Sequence, residues 1–298
     1  MTLVSLKYML ETAKKNNFAI GYFEAWDTYS LEAVAIAAEN RKSPIVLGFG
    51  GLTVNQKWMN DFGIEPFGSY AKKLAESLNV PAAVYLNEVF EIDQVKRGIN
   101  SGFNSVLLDS SHLSFEENIK ITKKVVEFAH NHNAHVQGEV GTLPNFEIVN
   151  QKNNLTNPKS AKEFIEQTDI DFLGVSIGNV HLHSKGKYHP DMELLSKINK
   201  EIHIPLVIHG TTGFPNNNIS NAITNGVAMF QVGTIIKETF YREVKNFIKN
   251  TEIKNDIHHY VGSRKKTDFL ESGKDKIIDL ISNYINLFKS NNKKNLYE

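Results

Sequence analysis

Glu24, Glu88, Asp109, Glu139, His181 and His209 each end or closely follow a short apolar run in the sequence. Two histidines with one carboxylate form an ordinary protein ligand set for zinc and other divalent metals, with a coordination position left open for substrate. Unpaired carboxylates gathered in one place repel each other, and a bound cation relieves that repulsion. Taken singly, each residue could equally cap a helix or pair with a lysine. The expectation of a metal site rests on all six holding the same place relative to their apolar runs. The chain contains no cysteine, which excludes disulfides, thiolate metal sites and cysteine nucleophiles. A metal here has to be held by His, Asp, Glu or backbone oxygen.

A second cluster is the Gly- and Thr-rich pair 209–213 (HGTTG) and 231–234 (QVGT). Backbone amides of such loops, together with a helix N-terminus, suit a phosphate group, although Gly and Thr are also common in plain turns. Other histidines carry less. His130, His132 and His135 fall between a helical pattern and the start of an apolar run, and read as surface or stabilising residues on the opposite face. His183 and His189 lie in a loop, and His258 and His259 in a C-terminal connection.

The apolar runs are 18–23, 44–49, 81–86, 104–108, 134–138, 171–177, 204–208 and 227–232. Each is short, bounded by Gly, Pro, Asn or Asp, and suited to a strand buried on both faces. Helical patterns occupy 28–41, which begins with a Thr or Ser cap, and 115–131, where Ser114 and Glu117 have capping-box spacing. Further helices are expected at 158–167, 191–200, 216–225 and 234–249, with an extra one outside the barrel at 272–289. Strands alternating with helices imply βαβ units and a parallel sheet. Eight such units predict a closed (β/α)8 TIM barrel with an additional C-terminal helix. The competing doubly wound sheet lacks a G-x-G-x-x-G after its first strand. In a barrel the C-terminal strand ends share one mouth, so the six acidic and imidazole residues converge there. The connections 142–160 and 178–190 are long, a length that often serves function.

The length of 298 residues fits one domain spanning 1–298, and 41% hydrophobic and 22% charged residues suit a globular core. Lysines plus arginines equal aspartates plus glutamates at 33, so charge gives no case for nucleic acid or an anionic membrane. No apolar run approaches the roughly 20 residues needed to cross a bilayer, and the N-terminus has no signal pattern, so a cytoplasmic location is expected.

The stretches 102–119 (GFNSVLLDSSHLSFEENI), 136–141 (VQGEVG), 177–181 (IGNVH) and 205–213 (PLVIHGTTG) resemble the class II fructose-bisphosphate and tagatose-bisphosphate aldolase family. The resemblance covers almost the whole chain. It implies a zinc-dependent barrel, a homodimer or homotetramer, that cleaves a phosphorylated ketose through a metal-stabilised enediolate and releases dihydroxyacetone phosphate. It implies His181 and His209 as two metal ligands, with Zn2+ or another divalent metal. The family's H-x-D-H stretch is Tyr85-Leu86-Asn87-Glu88 here, so Glu88 stands for the third metal histidine and Asn87 for the catalytic aspartate. Asn does not titrate, which moves proton transfer to Glu88, Glu24 or Asp109. Asp109 and Glu139 match acidic positions near the metal, and Glu24 replaces an asparagine. The implied phosphate-binding set is Leu182, Lys185, Gly210, Thr211, Thr212, Gly213, Gln231, Gly233 and Thr234. The lysine usual two residues before Gln231 is Met229, so the site is less cationic than in the family. Two alternatives keep the barrel: a metal-dependent sugar or sugar-phosphate epimerase or isomerase, and a non-catalytic sugar-phosphate-binding protein.

Overall fold

The structure is a computed structural model that describes residues 2–143, 155–182, 188–252 and 256–297. Eight parallel strands close into a barrel in sequence order: β1 (Ile20–Phe23), β2 (Ile45–Gly50), β3 (Ala82–Val89), β4 (Ser105–Leu108), β5 (His135–Val140), β6 (Phe172–Val175), β7 (Leu206–Ile208) and β8 (Val227–Val232). The seam is the pairing of β1 with β8, from Ile20 opposite Met229 to Phe23 opposite Val232. Helices cover the outer face of each strand and the side chains filling the barrel interior cover the inner one, so these segments are nearly continuous apolar runs with buried residues throughout.

The barrel interior is a core of its own, containing Ile20, Tyr22, Val46, Ala83, Tyr85, Leu107, Phe172, Val207 and Met229. Helix α1 (Leu6–Lys15) plugs its N-terminal end, burying Leu6, Met9, Leu10 and Ala13 along one stripe. The second core lies between strands and outer helices. These helices are α2 (Thr28–Arg41), α3 (Gln56–Trp58), α4 (Ile64–Ser77), α5 (Ile92–Ser101), α6 (Phe115–Asn131), α7 (Pro158–Thr168), α8 (Met192–Glu201) and α9 (Asn216–Thr224). They are followed by α10 (Thr234–Asn250) and α11 (Phe269–Leu287).

Four details differ from the expectations. The segment 56–77 is helical, with a π-helical stretch at Met59–Gly63; Gly63, Pro66 and Gly68 interrupt the pattern there, yet Pro66 is tolerated in the first turn of α4. Helix α5 was also not among the expected elements. The cap of α2 is Asp27, whose carboxylate accepts from Ser30 N–H in a capping box, so Thr28 already lies inside the helix. The C-terminal helix is present but lies on the barrel wall rather than outside it. Ile277, Ile281, Ile285 and the following Phe288 are fully buried, with Phe288 stacked on Phe230 and Phe23. In α10 only Ile236 is buried.

At the N-terminal face Asp171, just before β6, is a buried carboxylate with four partners. Its Oδ2 accepts from Val136 N–H at 2.8 Å and lies 3.0 Å from His130 Nε2. Its Oδ1 lies 3.1 Å from Lys7 Nζ and 3.5 Å from His135 Nδ1. Ser5 Oγ is 2.7 Å from the other ring nitrogen of His135. His132 is exposed and stacks on Phe128.

Candidate active site

Strand β3 runs three residues beyond the expected span because its end is bulged. Leu86 pairs with Val106 and Val89 with Leu108, so β3 carries one extra residue. Within that bulge Glu88 has φ 53°, a left-handed conformation uncommon for a side-chain-bearing residue. The bulge turns a carboxylate that strict alternation would not place there toward the barrel mouth. His209 follows β7 directly. His181 lies beyond β6, and Asn179 ties the two segments together: its Oδ1 accepts from Ile177 N–H and its Nδ2 donates to His209 O at 3.0 Å. Gly210 has φ +66°, and a Cβ there would lie 2.1 Å from Val180 O, so only glycine lets the two chains approach this closely.

Glu88 Oε1 lies 3.4 Å from His181 Nε2 and 3.4 Å from His209 Nδ1, and those two nitrogens are 3.1 Å apart. Ligand atoms about 2.0–2.1 Å from one tetrahedral ion stand about 3.3–3.4 Å from each other. The spacing and the two-imidazole, one-carboxylate chemistry therefore fit a divalent cation. Behind this trio, His209 Nε2 lies 3.2 Å from Glu139 Oε1 and 2.6 Å from Gln137 Nε2. Both groups meet the Nε2 edge of the ring, so the Nδ1 edge faces Glu88 and His181. Gln137 is held in turn by Tyr85 Oη, which donates to its Oε1 at 2.9 Å, and by Gln231 Nε2 at 3.2 Å.

The electrostatics show a shortage of positive charge. Burial raises Glu139 to about 8; His209 opposes the rise, while Asp109 and Glu88 add to it. Burial pushes Glu88 upward too, but His181 and His209 outweigh it and hold Glu88 below its ordinary value. Burial depresses His181, whereas the carboxylates of Glu139 and Glu88 overcome burial at His209 and raise it.

The trio opens into a cavity of about 440 Å³. Of the other residues expected at the site, Glu24, Asn87, Leu182, Gly210, Thr212, Gln231, Gly233 and Thr234 line it. Asp109, Glu139, Thr211 and Gly213 do not. Asp109 accepts from the N–H and hydroxyl of Ser111, and Thr211 N–H donates to Gln231 O. The Thr212 hydroxyl accepts from Ile235 N–H and so caps α10. Lys185 and His183 lie outside the described residues.

Sequence reasoning missed four polar residues here. Tyr22 lines the cavity two residues before Glu24, and among the described residues neither its buried hydroxyl nor Asn87 Oδ1 has a hydrogen-bond partner. Burial, then Glu24, push the Tyr22 phenol well above its ordinary value, so it remains a proton donor. Tyr22 and Gln137 each precede a singled-out residue by two positions on a buried strand, a legible signal. Asn179 and Lys237 carried no such mark. Lys237, in the first turns of α10, pairs with Glu24 Oε1 and donates to Thr53 Oγ1 at 2.9 Å.

Residues 4–293 match the family described as fructose-bisphosphate aldolase class-II. The chain belongs to that family. It is 31% identical over 305 residues to a sulfofructosephosphate aldolase of Alkalicoccus urumqiensis, covering all of both chains. It is 33% identical over 270 residues to a probable fructose-bisphosphate aldolase of Bacillus subtilis (strain 168), covering 89% of this chain and 93% of the relative. The crystal structure of the YdjI aldolase from Escherichia coli K12 superposes with a TM-score of 0.83 at 26% identity, covering 98% and 99% of the two chains. Class II aldolases are in general metal-dependent, and membership supports aldolase-type lyase chemistry. Among the described residues no helix is long and apolar enough to cross a membrane.

Proposed function

We propose that the chain is a metal-dependent aldolase that reversibly cleaves a ketose phosphate into dihydroxyacetone phosphate and an aldehyde. The observation that carries this reading is the convergence of Glu88, His181 and His209 at the floor of a cavity edged by Gly210, Thr212, Gly233 and Thr234. Glu88, His181 and His209 would hold the cation, Zn2+ or another divalent metal. When bound, it supplies electrophilic polarisation of the ketose carbonyl. Glu139 and Gln137 orient the His209 ring. The Tyr22 hydroxyl and Asn87 Oδ1, both buried and without a hydrogen-bond partner among the described residues, hydrogen-bond the hydroxyls of the sugar.

Asn87 does not titrate, so a carboxylate takes the proton of the C4 hydroxyl. Glu88 is committed to the trio and to Asn87 Nδ2, which donates to its Oε2 at 2.8 Å. Asp109 does not line the cavity. Glu24, the third candidate, does, and we assign it that proton.

The test is a panel of ketose phosphates, including fructose and tagatose 1,6-bisphosphates and sulfofructose phosphate, the last after the name of the Alkalicoccus relative. The zinc-loaded protein should release dihydroxyacetone phosphate from at least one, and should lose that activity on chelation and regain it with zinc. The reading fails if the wild type cleaves none while Asn87→Asp does. A second reading is favoured by Asn87 itself: an epimerase or isomerase needs only proton transfer beside the carbonyl. Solvent deuterium entering the ketose without cleavage would identify it.

A further inference from the structure

The cavity places an anion of the protein's own beside its phosphate-type loops. Glu24 Oε2 rests between the Cα atoms of Gly50 and Gly233; a Cβ would lie 3.0 Å from it at the first and 3.2 Å at the second. Gly233 is the N-cap of α10, a 17-residue helix whose positive end faces this spot. The other carboxylate oxygen pairs with Lys237. Among the described residues Lys237 is the one lysine or arginine lining the cavity, and Met229, where the resembled family carries its lysine, is fully buried in the barrel interior. Thus the one described lysine or arginine of the cavity wall is already neutralised, by a carboxylate lying against the N-cap glycine where an anionic ligand would approach the helix. In the same wall the buried Tyr22 hydroxyl and Asn87 Oδ1 have no hydrogen-bond partner among the described residues.

We propose that Glu24 is a built-in competitor for Lys237, so that the phosphate group of a substrate binds by taking Lys237 from Glu24 and releasing its carboxylate into the cavity. This rests on the reading of the cavity as a phosphate-ester site and deepens it. The exchange makes Glu24 and Lys237 a specificity device. A ligand without an anionic arm leaves the pair closed and Glu24 occupied, and a ligand with one arm opens it. A second phosphate near Glu24 meets like charge with no further described cation to offset it.

Inorganic phosphate is the probe, titrated calorimetrically into the zinc-loaded full chain at low ionic strength, where charge effects are least screened. Glu24→Gln should bind phosphate at least tenfold more tightly than wild type. Lys237→Gln should erase the gain in the Glu24→Gln background and should cost less in the wild-type background, where taking the lysine first breaks its pair with Glu24. The idea is overturned if Glu24→Gln binds no more tightly than wild type, or if Lys237→Gln weakens both backgrounds equally. Should Glu24→Gln fail to fold, Glu24→Ala takes its place in the same comparison. The cleavage panel is independent of this titration. Cleavage without the coupling overturns only the competitor role, and the coupling without cleavage overturns only the aldolase reading.

Discussion

The two ends of the barrel hold the same kinds of side chain in opposite electrical states. At the N-terminal face one carboxylate, Asp171, meets two imidazoles, a lysine and a backbone N–H. Burial favours its neutral form, but His135, His130 and Val136 N–H outweigh burial and hold it well below the usual carboxylate range. At the mouth, two imidazoles face three carboxylates, Glu88, Asp109 and Glu139, and Glu139 is forced up to about 8. A cluster whose charges are matched stabilises the fold. A cluster short of positive charge, beside a cavity, is prepared for a cation. Residue type does not distinguish the two; local charge balance does.

Exchanging damage between the ends gives the largest contrast. His209→Ala should abolish stoichiometric zinc binding and lower cleavage on the order of 10³-fold or more, the worth of several kcal/mol of transition-state stabilisation. His135→Ala should leave both unchanged and lower the thermal midpoint instead. Metal analysis and steady-state kinetics on both variants break the comparison if His135→Ala also loses zinc. Next in size is Asp171→Asn, which strips the buried partner from Lys7, His130 and His135 and should cost about 3 kcal/mol in urea unfolding. Activity per folded molecule should be unchanged.

The smallest effect is a divergence in pH response. The contribution of Asp171 is present above its unfolded value and lost as pH falls through its depressed folded value. Glu139 is the reverse: its folded value is raised, so its contribution is present below its ordinary value near 4.5 and is lost as pH rises through about 8. The metal-free protein should therefore lose stability as pH rises from about 4.5 to about 8, as well as at low pH where Asp171 is protonated. Glu139→Gln should flatten only the decline between about pH 4.5 and about 8 in thermal melts, and an unchanged slope there in that variant would remove Glu139 as its cause.

Much of this was legible in the chain. Short apolar runs alternating with helical patterns marked all eight strands, and the polar residues at their ends marked which face carries chemistry. His181 and His209 needed no structure to be singled out. The helices at 56–77 and 92–101 were not, the first because glycine and proline interrupt its pattern. The wall position of α11 was hidden because a buried helix and an outlying one can carry similar stripes. Here Phe288, just past its end, decides the matter by stacking on Phe23 and Phe230 of β1 and β8.

What the order of residue types settled alone was the architecture and the rim of candidate groups, because strand period and strand ends are local properties. What folding decided was which of those groups meet. The bulge that turns Glu88, the approach of Gly210 to Val180 O that leaves no room for a Cβ, and the pairing of Glu24 with Lys237, 213 positions away, all depend on distances between strands. A charge's partners, and therefore its chemistry, are set by space and not by spacing along the chain.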